Sequence, residues 1–163
     1  MLETPFLEVT AEISIALAGF VGIFLALDTR NEKLRASDVV SIRSIVSCSV
    51  APVFYAVIPI LVSTLGLREP ELWRFSSGVV IIVSSAFWWS VMYSIRRYPR
   101  EERRIDSKFV LLSGPLCGSL ALGCHMMNVA SWPWPASAGL YLLAIWLIIL
   151  IAAMYFVSLI FNR

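Results

Sequence analysis

Residues 136–161 read ASAGLYLLAIWLIILIAAMYFVSLIF, with no Asp, Glu, Lys or Arg among them. About 20 apolar residues are enough for a helix to cross a hydrocarbon core of roughly 30 Å. Lipid offers no partner for an unpaired backbone group, so a segment of this kind is expected to be helical. Four further apolar blocks precede it: Phe6–Leu27, Val39–Leu65, Phe75–Ile95 and Phe109–Ala130. Each is long enough to span. The composition agrees, with 59% hydrophobic and only 15% charged residues, where a soluble domain carries about a quarter charged. The mean hydropathy is +0.81. The reading is all-α: a polytopic integral membrane protein of about five transmembrane helices, forming a single domain over residues 1–163. The first block carries Glu3, Glu8 and Glu12 in place of a basic leader, so it reads as a retained helix and not a signal peptide. Ser37 or Asp38 is the expected N-cap of the second helix.

The basic residues set an orientation. Arg30, Lys33, Arg35, Arg96, Arg97, Arg100, Arg103, Arg104, Lys108 and Arg163 fall on one side of a five-span chain, with Arg43 just inside the same end, and only Arg68 and Arg74 fall on the other. Short loops rich in Lys and Arg stay in the cytoplasm. This places the N-terminus outside and the C-terminus in the cytoplasm, and suits the inner (plasma) membrane of a bacterial cell. Trp73, Trp132 and Trp134 are then expected at the outer interface.

Ionisable residues inside a span cost roughly 2.5–3.5 kcal/mol or more and need a reason. Glu12 and His125 lie on the order of 9 Å and 8 Å below the outer boundary at 1.5 Å per residue. They are at matched depth and would touch if the first and fourth helices were neighbours. A Glu–His pair there would share a proton or respond to ions. Its bland counterpart is a buried hydrogen bond that fixes helix packing. Asn128 lies one turn beyond His125, and Glu8 one turn before Glu12. Glu8, Glu12, His125 and Asn128 are therefore the candidate binding or permeation residues. Arg43 is read as snorkelling to the cytoplasmic interface.

Small residues permit close helix approach in lipid. The first helix has Ser14, Ala18, Gly22 and Ala26 at four-residue steps, and the fourth has Gly114 and Gly118 leading through Ala121 to His125 and Asn128. Both stripes are expected to face a packed neighbour. Pro52, Pro59 and Pro115 interrupt the second and fourth helices. Each frees a backbone carbonyl, which in transporters can coordinate a cation. The fifth helix, apolar all round, reads as a lipid-exposed peripheral element.

No phosphate-binding glycine loop or HExxH is present, and a chain with one histidine has no multi-histidine metal site. Cys48, Cys117 and Cys124 all lie in apolar blocks without CxxC spacing. No cofactor and no metal are expected, the loops are too short for a soluble catalytic domain, and the arginine-rich loop is explained by orientation without nucleic acid. The leading expectation is a non-enzymatic, homo-oligomeric channel or transporter with an ionisable site in the outer half of the bilayer. The alternative is a structural or accessory subunit that binds another membrane protein through its small-residue helix faces. Partners are thus the lipid bilayer and either copies of itself or another membrane protein.

Overall fold

The computed structural model describes residues 4–28, 36–96 and 108–161, and every regular element among them is helical. The five helices are α1 (Thr4–Asp28), α2 (Ala36–Thr64), α3 (Glu71–Arg96), α4 (Lys108–Ala130) and α5 (Ala138–Phe161). Four of them contain stretches long and apolar enough to cross a membrane: Pro5–Phe24, Ser44–Thr64, Glu71–Ser90 and Ala138–Ser158. The boundaries follow local chemistry. Pro70, which has no N–H to lose, stands just ahead of α3 and accepts from Arg74 N at 3.2 Å, while Glu71 places a carboxylate in the first turn. Helix α2 starts at Ala36, ahead of Ser37 and Asp38, so the expected caps lie inside its first turn. Gly66, with φ of 83°, ends α2, and Gly66 N donates to Ser63 O at 3.0 Å.

Helices α2, α3, α4 and α5 form a closed ring in which each packs on the next, and α1 lies outside it against α2 and, over a smaller area, α5. Consecutive helices alternate in direction. One end of the bundle therefore holds the N-terminal turn of α1 and the connections 65–70 and 131–137, and we call it the tryptophan end. Most of the basic residues that orient the chain (Arg30, Lys33, Arg35, Arg97, Arg100, Arg103, Arg104 and Arg163) lie outside the described residues.

The core has two layers. Near the tryptophan end Leu7, Tyr55, Ala56, Val62, Leu72, Trp73, Val80, Ala136, Tyr141, Ile145 and Ile149 pack together. Toward the other end Val21 and Ile45 are enclosed by Phe24, Ile42, Tyr155 and Phe156. Outside these layers the surface is itself apolar, with Phe6, Phe20, Phe54, Ile82 and Trp89 all more than 60% exposed. A water-facing protein does not present aromatic and branched side chains on all sides.

Three expectations are corrected here. Helix α5 is not peripheral: it touches all four other helices, and Tyr141, Ala144, Ile145 and Ala152 are fully buried. A helix that is apolar all round suits a protein core as well as lipid, and Ala144 and Ala152 let neighbours approach. Helices α1 and α4 do not pack as a pair, because α2 and α5 hold α1 away from the α3–α4 side. Trp73 does not sit in an interfacial belt but is 2% exposed, whereas Trp132 and Trp134 lie open.

The period of each helix face explains its packing. The side of α1 turned to α2 and α5 is Leu7, Thr10, Ser14, Leu17, Val21 and Phe24, buried or half-buried at alternating three- and four-residue steps. That is a 3.5-residue seam, which stays in line along a left-handed crossing. Thr10 and Ser14 tolerate burial because each hydroxyl donates to the carbonyl one turn earlier, Thr10 to Phe6 O at 2.6 Å and Ser14 to Thr10 O at 2.8 Å. The stripe Ser14, Ala18, Gly22, Ala26 instead steps by four and drifts about 120° around the helix over its length. Ser14 is buried, Ala18 half-buried, and Gly22 and Ala26 exposed.

Candidate functional site

A buried polar cluster joins α3, α4 and α5 at the tryptophan end. His125 and Asn128 project from the same face of α4 as Gly114 and Ala121, all four buried, with Gly118 half-buried beside them. A Cβ on Gly114 would press on the outer end of the Tyr155 side chain of α5, 3.1 Å from Cζ, whereas one on Gly118 would make ordinary contact with the Trp88 ring of α3 at 3.5 Å.

Asn128, fully buried, uses both ends of its amide. Its Nδ2 donates to Ser77 Oγ of α3 at 3.1 Å and to Ser137 O at 3.1 Å, and its Oδ1 accepts from Ser137 N at 3.0 Å. It thereby pairs with the backbone of Ser137 much as another strand residue would, and fastens the α4–α5 connection. Ser137 in turn caps α5, its Oγ accepting from Leu140 N at 3.4 Å. The connection begins with a left-handed turn. Ser131 has φ of 50°, Ser131 N donates to Asn128 O at 3.2 Å and Trp132 N to Met127 O at 3.3 Å, the paired bonds of a Schellman helix ending. Outside the cluster, Arg74 Nε donates to Val129 O at 2.9 Å, placing a cation on the carbonyl end of α4. The same guanidinium lies 3.6 Å from Glu71.

His125 Nδ1 is 3.3 Å from Ser77 Oγ, and its ring meets Tyr141 edge-on with centroids 5.3 Å apart. Trp73 packs on the same Tyr141 ring at 5.5 Å. The Tyr141 hydroxyl donates to Tyr55 O of α2 at 2.7 Å. Pro59, four residues on, has no N–H to offer that carbonyl. The carbonyl that Pro59 frees in α2 is thus taken by a side chain of α5. Tyr55 Oη also lies 2.8 Å from Ser84 Oγ, so one chain of hydrogen bonds ties α5, α2 and α3. Three buried polar atoms in this region have no hydrogen-bond partner among the described residues: Trp73 Nε1, Ser76 Oγ and His125 Nε2.

Of the residues singled out from sequence, the structure brings together His125 and Asn128, through Ser77. It does not bring Glu12 to His125. Glu8 and Glu12 lie exposed on α1, with no hydrogen bond or ion pair to the described residues. They share a face with Ile15, Gly19, Gly22 and Ala26, all exposed, again at alternating four- and three-residue steps. This second seam lies almost opposite the buried one, and a Cβ on Gly19 or Gly22 would meet nothing within 4 Å. Sequence reasoning missed Ser77, Ser137 and Tyr141, and read Trp73 as an interfacial residue. The signal for Tyr141 was Pro59, because a freed carbonyl in apolar surroundings calls for a donor from another helix. Serine 49, in the polar end of α2, is buried and donates to Ile45 O at 2.9 Å, whereas Ser41 and Arg43 lie outside the described side chains. Among the described residues no group of three or more His, Cys, Asp or Glu side chains could hold a metal ion.

No protein-family model matches this chain, and neither the curated proteins nor the solved structures contain a significant match to it.

Proposed function

We propose that this chain is a multi-pass membrane protein of the inner membrane, non-catalytic, acting as an accessory subunit whose first helix docks on another membrane protein. The observation that carries the reading is Glu12. It stands roughly 10 Å into the apolar stretch that begins at Pro5, on the exposed side of α1 and without a partner among the described residues. A carboxylate facing lipid at that depth is costly, by a few kcal/mol. A neighbouring helix that brings a basic or hydrogen-bond-donating side chain to Glu12 removes this cost. Gly19, Gly22 and Ala26 on the same seam allow its backbone to come close. The polar residues of α4, by contrast, are engaged in holding their own bundle together. The charge distribution supports an N-terminus outside and a C-terminus in the cytoplasm.

A homo-oligomeric channel is the second reading, favoured by the alignment of Glu8 and Glu12 on one seam. Around a symmetry axis they form stacked carboxylate rings of the kind that attract cations. Photo-crosslinking from Ile15 in native membranes, with the mass of the extracted particle, separates the two. A defined heteromeric product that Glu12→Gln abolishes supports the accessory subunit. A self-crosslinked particle of integral multiple mass supports the channel. A monomer with no crosslink at Ile15 refutes both.

A further inference from the structure

Trp73, Ser76 and Ser77 lie within five consecutive positions of α3, two of them on one turn with Trp73. Trp73 and His125 both lean on the ring of Tyr141, at 5.5 Å and 5.3 Å. Trp73, Ser76 and His125 are each at least 98% enclosed, being 2%, 0% and 2% exposed. Yet Trp73 Nε1, Ser76 Oγ and His125 Nε2 make no hydrogen bond to any described residue. Buried polar atoms of this kind are rare, and a cluster of three in one layer calls for a common partner. From these observations we infer that Trp73, Ser76 and His125 line one enclosed polar site, walled by Tyr141, that binds water.

The donor and acceptor count selects the ligand. Ser77 Oγ already accepts from Asn128 Nδ2. A second lone pair remains on that oxygen, so His125 Nδ1, 3.3 Å away, either accepts from Ser77 Oγ or donates to it. In the neutral imidazole Nε2 is correspondingly a donor or an acceptor. Trp73 Nε1 is a donor only. The site therefore offers one N–H donor, one hydroxyl and one imidazole nitrogen of either sense, and wants a small molecule that both accepts and donates. Water does this for either tautomer: it accepts from Trp73, accepts from or donates to His125 Nε2, and shares a hydrogen bond with Ser76 Oγ. A halide accepts but cannot donate, and an unbalanced charge in an apolar interior is disfavoured.

The test uses the intact protein in nanodiscs. Its single histidine gives one ¹⁵N-labelled imidazole, whose nitrogens are told apart because Nε2 alone is bonded to two C–H carbons. The expected result is magnetisation transfer from water to the Nε2 edge of the ring, read at Hδ2 as a water cross-peak. Alongside it, Ser76→Ala is expected to lower the thermal midpoint by about 2–4 °C, because the water loses a hydrogen-bond partner. A dry site gives the opposite: no water cross-peak, and a Ser76→Ala midpoint unchanged or raised, since an unpaired hydroxyl has been removed. Either of those overturns the inference. A midpoint that rises with chloride but not with sulfate at equal ionic strength also overturns it, by assigning the site to a halide.

Discussion

Replacing Tyr141 with Phe removes one hydroxyl and nothing else from the centre of the bundle. That hydroxyl donates at 2.7 Å to Tyr55 O, and Tyr141 is fully enclosed. Two magnitudes compete. A side-chain hydrogen bond between membrane helices is worth about 0.6 kcal/mol on average. A buried acceptor left with no partner costs about 1–3 kcal/mol. The second value applies here, because Pro59 deprives the Tyr55 carbonyl of its helical N–H. Tyr141→Phe is therefore expected to destabilise the protein by about 1–3 kcal/mol. The same reasoning predicts a rescue. Pro59→Ala restores an N–H four residues beyond Tyr55, so in that background Tyr141→Phe should cost only about 0.6 kcal/mol. The difference is a coupling between two residues on different helices that share one carbonyl. Reversible denaturant unfolding of all four variants in one detergent, followed by circular dichroism, measures it. An equal cost in both backgrounds would refute the freed-carbonyl argument even if the hydrogen bond itself is real.

Asn128→Leu removes three hydrogen bonds at about 1 kcal/mol each and is expected to cost about 2–4 kcal/mol, while Ser77→Ala, which removes the bonds to Asn128 and His125 but spares both between Asn128 and Ser137, should cost about two thirds of that by the same unfolding measurement. Ser131 holds a left-handed conformation with φ of 50°, so Ser131→Gly should stabilise by up to about 1 kcal/mol and Ser131→Val should destabilise; a shift of the midpoint in the same direction for both would contradict this. Glu12→Gln in the isolated monomer should leave unfolding within about 0.5 kcal/mol of the parent, since the carboxylate has no partner among the described residues; a larger loss would mean that Glu12 is a structural residue of its own bundle.

The helices themselves were legible because the length of an apolar block is a strong signal. The five expected spans and the five helices differ by a few residues at their ends, and most at α3, where Pro70 and Glu71 start the helix a turn before the apolar block. Helix neighbours were not legible. In α1 the eye follows the unbroken four-residue stripe from Ser14 to Ala26, but a packed seam repeats every 3.5 residues and leaves that stripe after one or two turns. Leu7, Leu17 and Val21 carry no mark that separates them from exposed Phe20 or Ile23, because the core and the outer surface are equally apolar. His125 and Asn128 were legible as buried polar groups, since a polar side chain in a span has to be satisfied. Their partners were not, because Ser77 and Ser137 are ordinary serines until the fold brings them to Asn128.

Helix α5 follows the other four along the chain, yet it is the one that all of them touch. Until it arrives, α2 has an unclaimed carbonyl at Tyr55, and the ring from α2 to α4 stands open on one side. The first four helices are in this sense a half-built arch, joined in sequence but not closed. The fifth is the keystone that closes it. A chain stopped before residue 138 would leave that carbonyl without its donor among apolar side chains.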